Sequence, residues 1–524
     1  MFSQATIIIK NKGDNLMRAS YKLFTILIMI FLIISLFGYD YFFPAKSNQG
    51  TVKAKQYDMN LTLNHQNHTL SGCIDMTITN QTQHDLSAIY VRNYACALTG
   101  QKSIQSVFQK NKQLQFQEYG AQNILKNYIK SKDKASIIKI DLDTAFAPQQ
   151  TITLSINYQV TIPEKEDRFG YIYKDQHSFY QLSYCFIQLS PYINGQWENP
   201  PYIENAEPDF NNISDYYVNI TVPDNYTLVS SGNETYQGQN QYYIEAKQVR
   251  NIAMIVADHL NKKTISIGNC QINHYYPSYQ HSEDYHQYVI ESAKETMEWN
   301  SQHLGRYPYQ QLDIVSCFYK SAMEYSGMIF LGLPDIQDLN HLDQTSYSTV
   351  SQTVAHEVSH QWFSITIGND SYHEPWLDEA FCEYIEDFVF PANCSIYQQS
   401  VEDDHQRLNI DIGSFSKKQY LQMIEQRQKE YYINEPYDHY IQFNKYTQTI
   451  DNSDYSTYVY TNGSYFLYEL SQAMNENTFY QMMQDYYQTY YFKEVTTDDF
   501  INKVYQYNKS QKVKQIINDY LDIK

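Results

Sequence analysis

In VAHEVSHQWF, residues 354–363, His356 and His360 stand four apart with Glu357 beside the first. A helix turns about 100° per residue, so side chains at i and i+4 leave from nearly one side, and two imidazoles placed there reach one point. If that point holds a catalytic zinc, the fold must bring up a third protein ligand and leave a fourth position open. Glu379 is the candidate third ligand. Eighteen residues separate it from His360, and it lies in EPWLDEAFCEYIED, where Pro375 suits a first helical turn. A site of two histidines and one glutamate takes its acid from a neighbouring helix, so the spacing predicts packed helices at about 346–364 and 376–390. The same segment holds Asp378, Glu383, Glu386 and Asp387. Spacing alone therefore leaves Glu379 open between a metal ligand and a solvated surface acid, and the histidines open between a metal site and an ordinary amphipathic helix.

A chain of 524 residues exceeds one ordinary core, so two or three domains are expected. Residues 47–262 read mainly as strand. TITLSINYQVTI sets Ile152, Leu154, Ile156, Tyr158, Val160 and Ile162 on one face and polar residues on the other. IIKIDLD and YVNITVP repeat the pattern, and short polar turns between such runs predict an antiparallel β-sandwich or saddle. Residues 263–524 become mainly helical. DYHQYVIESAKETMEWNSQHLG carries Val289, Ala293 and Met297 at steps of four, with Gly305 at the expected C-cap. The fold class is thus α+β.

Residues 23–38, LFTILIMIFLIISLFG, carry no charge, follow Arg18 and Lys22, and continue through Tyr39, Tyr41, Phe42 and Phe43. Residues 23–43 approach the roughly 20 needed to cross a bilayer. Basic residues ahead of them predict a cytoplasmic segment 1–22, a single transmembrane signal-anchor, and the remainder on the extracytoplasmic side. A start at Met17 would give the alternative, an export signal removed to release a secreted protein. With 58 Asp and Glu against 38 Lys and Arg, the chain has no basic stripe for a phosphate backbone, which argues against nucleic acid as a partner. The 53 tyrosines make any single Tyr uninformative without a motif around it. Seven cysteines show no close metal-ligand spacing, and sequence alone selects no disulfide pair.

VAHEVSHQWF together with WLDEAFCEYIE resembles the gluzincin zinc aminopeptidases, the family of aminopeptidase N and leukotriene hydrolase, whose pattern is H-E-x-x-H, eighteen residues, then E within WLNEGFA-Y. SAMEYSG, residues 321–327, is similar to that family's G-x-M-E-N motif, and HLGRYPYQQLDIV just upstream is similar to its approach to that strand. YSTYVYTNGSYFLYEL, from Tyr455, resembles the family's tyrosine-bearing segment. The resemblance implies an N-terminal β domain followed by a thermolysin-like, mainly α catalytic domain, and one Zn²⁺ per chain held by His356, His360 and Glu379. It implies Glu357 as the base that activates water, Tyr460 as the donor to the oxyanion, Tyr455 as a second tyrosine of the pocket, and Glu324 as the group that binds the substrate's α-ammonium. It also implies Glu386 as an acid orienting a ligand imidazole, with Glu383 on the same helix face. Trp362 and Trp376 match family aromatics and read as core packing. Ser321 and Tyr325 depart from the usual Gly and Asn, and the acidic, Pro-rich N-terminal motif of long members has no counterpart. The chain also lacks length for their large helical C-terminal domain, which implies a short form with a more open cleft.

The expected protein is a monomeric, membrane-anchored zinc aminopeptidase acting on peptides with a free N-terminus. A zinc endopeptidase with an open cleft and a non-catalytic surface binding protein on a peptidase scaffold are the alternatives.

Overall fold

A computed structural model describes residues 50–99, 101, 103–119, 136–174, 176–199, 202, 210–278, 282–332, 346–408, 426 and 455–521. The apolar segment 23–43 lies outside these residues, and among the described residues no helix is long and apolar enough to cross a membrane. The described residues within 52–192 and 197–521 pack as one compact unit.

The first part of the unit is built on period-2 strands. The strand Thr151–Thr161 buries Ile152, Leu154, Ile156, Tyr158 and Val160 and turns its polar residues outward. It belongs to an eight-stranded sheet whose order is Asn233–Gly238, Gln241–Val249, Ser214–Thr221, Val52–Asn64, Thr69–Asn80, Thr151–Thr161, Ile104–Gln109 and Lys112–Leu114. At about 1.5–3 kcal/mol for each large apolar side chain removed from water, the inward row supplies the drive for this layer. One pairing departs from the antiparallel expectation. Val52–Asn64 runs parallel to Ser214–Thr221, with Met59 opposite Val218, while its other neighbour is antiparallel. Alternation specifies a half-buried strand in either direction, so the pattern carried no information on this choice.

A four-stranded sheet of Thr227–Ser230, Met254–Ala257, His177–Leu182 and Phe169–Lys174 forms the wall between two cores. Met254 and Val256 point into the core of the eight-stranded layer, and Ile255 and Ala257 into the core that surrounds the helices. Leu228 and Val229 divide in the same way, as do Tyr180 and Phe179.

Past this wall the chain forms a five-stranded sheet in the order Leu260–Ile267, Cys270–Pro277, Gln311–Cys317, Met328–Gly332 and Ala322–Tyr325. The helix Glu283–His303 crosses between its second and third strands, and the parallel pairing of those strands requires such a crossover. Ser282 caps the helix by accepting from the Tyr285 N–H, and the helix ends at Leu304. Gly305 follows, where an added Cβ would lie 2.3 Å from the Tyr487 ring. The helices Tyr347–Ser359, Trp376–Tyr384, Asn462–Met474, Glu476–Thr489 and Thr497–Tyr507 pack into the second core. Trp362 and Trp376 are fully buried there. Their indole N–H groups donate to the Gly305 carbonyl and the Thr497 hydroxyl, at 2.7 and 3.1 Å.

Arg250, just past the strand Gln241–Val249, locks the strands to the helices. It donates to the carbonyls of Ile365 at 2.8 Å, Asn211 at 2.9 Å and Lys493 at 3.1 Å, and pairs with Glu494 at 3.0 Å. Removing a buried, multiply bonded cation leaves several acceptors unsatisfied. Arg250→Ala is expected to destabilise the fold by about 3–5 kcal/mol, read as a lowered midpoint in thermal unfolding; an unchanged midpoint contradicts this role.

Candidate active site

The histidine helix, Tyr347–Ser359, begins at Ser346, whose hydroxyl accepts from the Thr349 N–H, and His356 and His360 occupy its final turn and its C-cap. The glutamate helix, Trp376–Tyr384, lies against it and presents Glu379. Close approach of a third helix, Asn462–Met474, fixes the glutamate helix from behind. An added Cβ at Gly463 would lie 2.4 Å from the Ala380 Cβ, one residue from Glu379.

Three donor atoms converge in this frame. His356 Nε2 lies 3.2 Å and His360 Nε2 3.3 Å from Glu379 Oε2, and the two imidazole nitrogens are 3.1 Å apart. A tetrahedral zinc with ligands at about 2.0–2.1 Å separates adjacent donors by about 3.3 Å. The triangle therefore has the dimensions of one face of a zinc tetrahedron. The outward nitrogens support this assignment. His356 Nδ1 donates to Glu386 Oε2 at 2.9 Å, with Glu383 Oε2 at 3.4 Å, and His360 Nδ1 donates to the Phe363 carbonyl at 3.3 Å. Placing the protons on Nδ1 leaves both Nε2 lone pairs facing the common point. The residues present fit zinc.

Electrostatics follow from the number of acids sharing this dry space. Burial pushes the Glu357 carboxyl up to about 8, against the pull of both histidines. Its Oε2 is buried and has no hydrogen-bond partner among the described residues, the condition of a group kept for chemistry rather than structure. Burial, with repulsion from Glu386, raises Glu383 to about 7. Asp378 is raised to about 7 by burial and by its neighbour Glu379. Burial also acts upward on Glu379, but the charges and hydrogen bonds of His360 and His356 outweigh it and hold that carboxyl well below its usual range. Burial disfavours the charged imidazolium of His356, yet its hydrogen bonds to Glu379, Glu383 and Glu386 raise it well above the usual value.

Glu324 lies on the edge strand Ala322–Tyr325, buried, with Oε1 3.7 Å from His360 Nδ1. Two connections set that distance. Gln361, at the end of the histidine helix, donates to the Tyr325 carbonyl at 2.9 Å and accepts from the Gly327 N–H at 3.0 Å. Ser364 donates to Glu324 Oε1 at 3.1 Å from a backbone with φ +93°, a left-handed conformation that a serine adopts only at a cost. Tyr325, which departs from the family's Asn, turns away from Glu324 and packs on Phe330 with ring centroids 4.8 Å apart. Tyr460 donates to the second oxygen of Glu379 and lies nearly parallel to the His356 ring, centroids 6.0 Å apart. Tyr455 meets Tyr460 edge-on at 6.2 Å.

All nine residues singled out in the sequence therefore gather in one region. The sequence reading assigned no role to Gln361 or Asp378, although both lie within the motifs it used, and it missed Ser364 and two π-helical turns. Ile385–Val389 carries Glu386, and Thr457–Thr461 carries Tyr460. Each inserts an extra residue into a helical turn and so re-aims a side chain at the centre. Cys382, for which the sequence suggested no role, is fully buried and hydrogen-bonded to His360; burial pushes its thiol up to about 11.

Comparison with known proteins agrees with this geometry. The family profile described as Peptidase family M1 domain matches residues 288–520. Alanine/arginine aminopeptidase of Saccharomyces cerevisiae is 24% identical over 200 residues, covering 37% of this chain and 21% of that protein. Matched segments span between 11% and 21% of the length of the first curated relatives. Among solved structures, a two-domain M1 zinc metallopeptidase bound to L-tryptophan superposes with a TM-score of 0.58 at 14% identity, over 91% of this chain and 96% of that one. Native yeast LTA4 hydrolase superposes with a TM-score of 0.60 at 16% identity, over 90% of this chain and 68% of that one. At such identities the superpositions establish a shared fold.

Because Glu386 holds the protonated nitrogen of His356, Glu386→Gln is expected to weaken zinc binding about 10–100-fold while preserving the fold. Competition with a fluorescent chelator reads the affinity, and a wild-type zinc affinity in the variant would remove Glu386 from this role.

Proposed function

This chain belongs to peptidase family M1, and from that premise we propose that it is a zinc-dependent aminopeptidase that hydrolyses the first peptide bond of peptides with a free N-terminus. The position of Glu324 carries the reading. A carboxylate held at the sheet edge beside the metal triad is placed to take a substrate's α-ammonium through charge-assisted hydrogen bonds. One residue of substrate then fits between that anchor and the point of attack, so the bond cut is the first.

When bound by His356, His360 and Glu379, the zinc supplies Lewis acidity, polarising the scissile carbonyl and acidifying water. Glu357 takes the proton of the attacking water and returns it to the leaving amine. The Tyr460 hydroxyl, held beside Glu379, is the donor for negative charge that develops on the carbonyl oxygen. Glu386 fixes the His356 ring.

Glu357→Gln is expected to lower kcat about 10²–10⁴-fold, and Tyr460→Phe about 10²–10³-fold, on fluorogenic aminoacyl substrates. Glu324→Ala should lower kcat/KM for free-amine peptides about 10–100-fold. N-acetylated peptides should resist the wild type. If the wild type cuts acetylated and free peptides equally well and Glu324→Ala does not matter, the enzyme is an endopeptidase.

The proposal extends to location. The uncharged run from Leu23 to Gly38, preceded by Arg18 and Lys22, supports a single membrane anchor at residues 23–43 with the catalytic part outside the cytoplasm. The expressed chain should then stay with membranes through alkaline extraction and be digested by protease added to intact cells. Release into the medium with residues 23–43 removed would support the secreted form instead.

A further inference from the structure

The strand His177–Leu182 runs antiparallel to Met254–Ala257, with Phe179 opposite Ala257. Continued past the end of the ladder, that register sets His177 opposite His259, and opposite residues of an antiparallel pair project from the same face. The two imidazoles face each other there, with ring centroids 4.3 Å apart. Asp258 lies between them. Its Oδ2 accepts from the Ser178 N–H at 3.1 Å, and its own N–H donates to the Ser178 carbonyl at 3.3 Å, so both its carboxylate and its backbone are tied to Ser178. Its other oxygen, Oδ1, lies 3.3 Å from His177 Nδ1 and 3.3 Å from His259 Nδ1. A donor atom from each of the three residues falls within 4.8 Å of the others.

We propose that His177, Asp258 and His259 form a second metal site, separate from the catalytic triad, that takes a divalent transition metal of the zinc, copper or nickel class. Both His–Asp separations, 3.3 Å, match the roughly 3.3 Å between adjacent donors of a tetrahedral zinc, and the edge between the two imidazoles closes within 4.8 Å. Two imidazole nitrogens with one carboxylate oxygen suit zinc, copper and nickel and do not suit calcium or magnesium, which take oxygen ligands.

The site differs from the catalytic one in two respects. His259 is 57% exposed and His177 27%, so water completes the coordination and binding is the weaker of the two. Among the described residues no buried base stands beside it, so its role is structural rather than hydrolytic. Its place in the fold gives it a consequence. Asp258 and His259 occupy the short passage from Met254–Ala257, in the wall between the two cores, to Leu260–Ile267, the first strand of the catalytic sheet. A metal there ties the hairpin Phe169–Leu182 to that passage and braces the point where the chain leaves one layer for the next.

The test uses the full-length chain, stripped with a chelator, dialysed against zinc and assayed for metal by elemental analysis. The wild type is expected to retain one more zinc per chain than His177→Ala/His259→Ala, with the activity of the double variant on aminoacyl substrates unchanged. Loading with copper gives a second readout. Nitrogen hyperfine structure in the electron paramagnetic resonance spectrum should survive in His356→Ala/His360→Ala, where only the proposed site remains, and vanish when His177 and His259 are replaced as well. Should the alanine pair fail to fold, His177→Gln/His259→Gln keeps size and hydrogen bonding while removing the imidazoles. Equal zinc content in wild type and either double variant, or loss of the copper signal with the catalytic histidines alone, shows a surface ion pair and overturns the proposal.

Discussion

Two imidazole lone pairs and a carboxylate oxygen held within 3.3 Å of one another are the constraint on which the rest of this structure depends. Electron-rich atoms at that distance repel unless a cation or a proton lies between them. Six acids surround the point: Glu324, Glu357, Asp378, Glu379, Glu383 and Glu386. Burial pushes the carboxyls of Glu357, Asp378 and Glu383 up to about 7 or 8, and repulsion from neighbouring acids adds to it. A divalent cation held at the centre would offset the negative charge of the whole set.

Holding the donors in place falls to groups that never touch the centre. Gln361 binds the edge strand to the end of the histidine helix through both ends of its side-chain amide, so the spacing between Glu324 and the metal ligands is set by a two-point bond to the strand backbone. Ser364 accepts an unfavourable backbone conformation to keep its bond to Glu324. Gly463 permits one helix to lie against Ala380 at a distance that no larger residue allows. The positions that define the reaction are thus surrounded by positions that define only distance, and a one-ångström error in those costs rate as surely as loss of a ligand.

What the sequence made legible and what it hid divide along physical lines. Type and spacing put His356, Glu357 and His360 forward as a candidate metal site and left Glu379 open, and the family resemblance then selected all four. Period-2 alternation in Thr151–Thr161 and the steps of four in Glu283–His303 likewise reflect local geometry, and the structure has both elements. The features that stayed hidden depend on partners far away in the chain. The parallel pairing of Val52–Asn64 with Ser214–Thr221 joins segments some 150 residues apart, and alternation is the same for either direction. The π-turns at Ile385–Val389 and Thr457–Thr461 differ from α-helix by one residue of register, which tertiary packing decides. Glu386 was nonetheless identified, because the resemblance located the residue while the regular-helix geometry applied to it described only an approximate direction.

The four-stranded wall changes how the two layers must be regarded. Each of its inner strands gives alternate residues to different cores: Met254 and Val256 to one, Ile255 and Ala257 to the other. Neither core is complete without the same backbone, so the strands cannot shift against the helices without uncovering apolar surface on both sides. Arg250 adds the polar counterpart, with a strand-end residue whose guanidinium is satisfied by carbonyls from the segment that follows the histidine helix. That segment includes Ser364, and Ser364 holds Glu324. Hydrogen bonds at each end of this segment therefore connect the β-layer to Glu324, so the β-layer helps to position the candidate site.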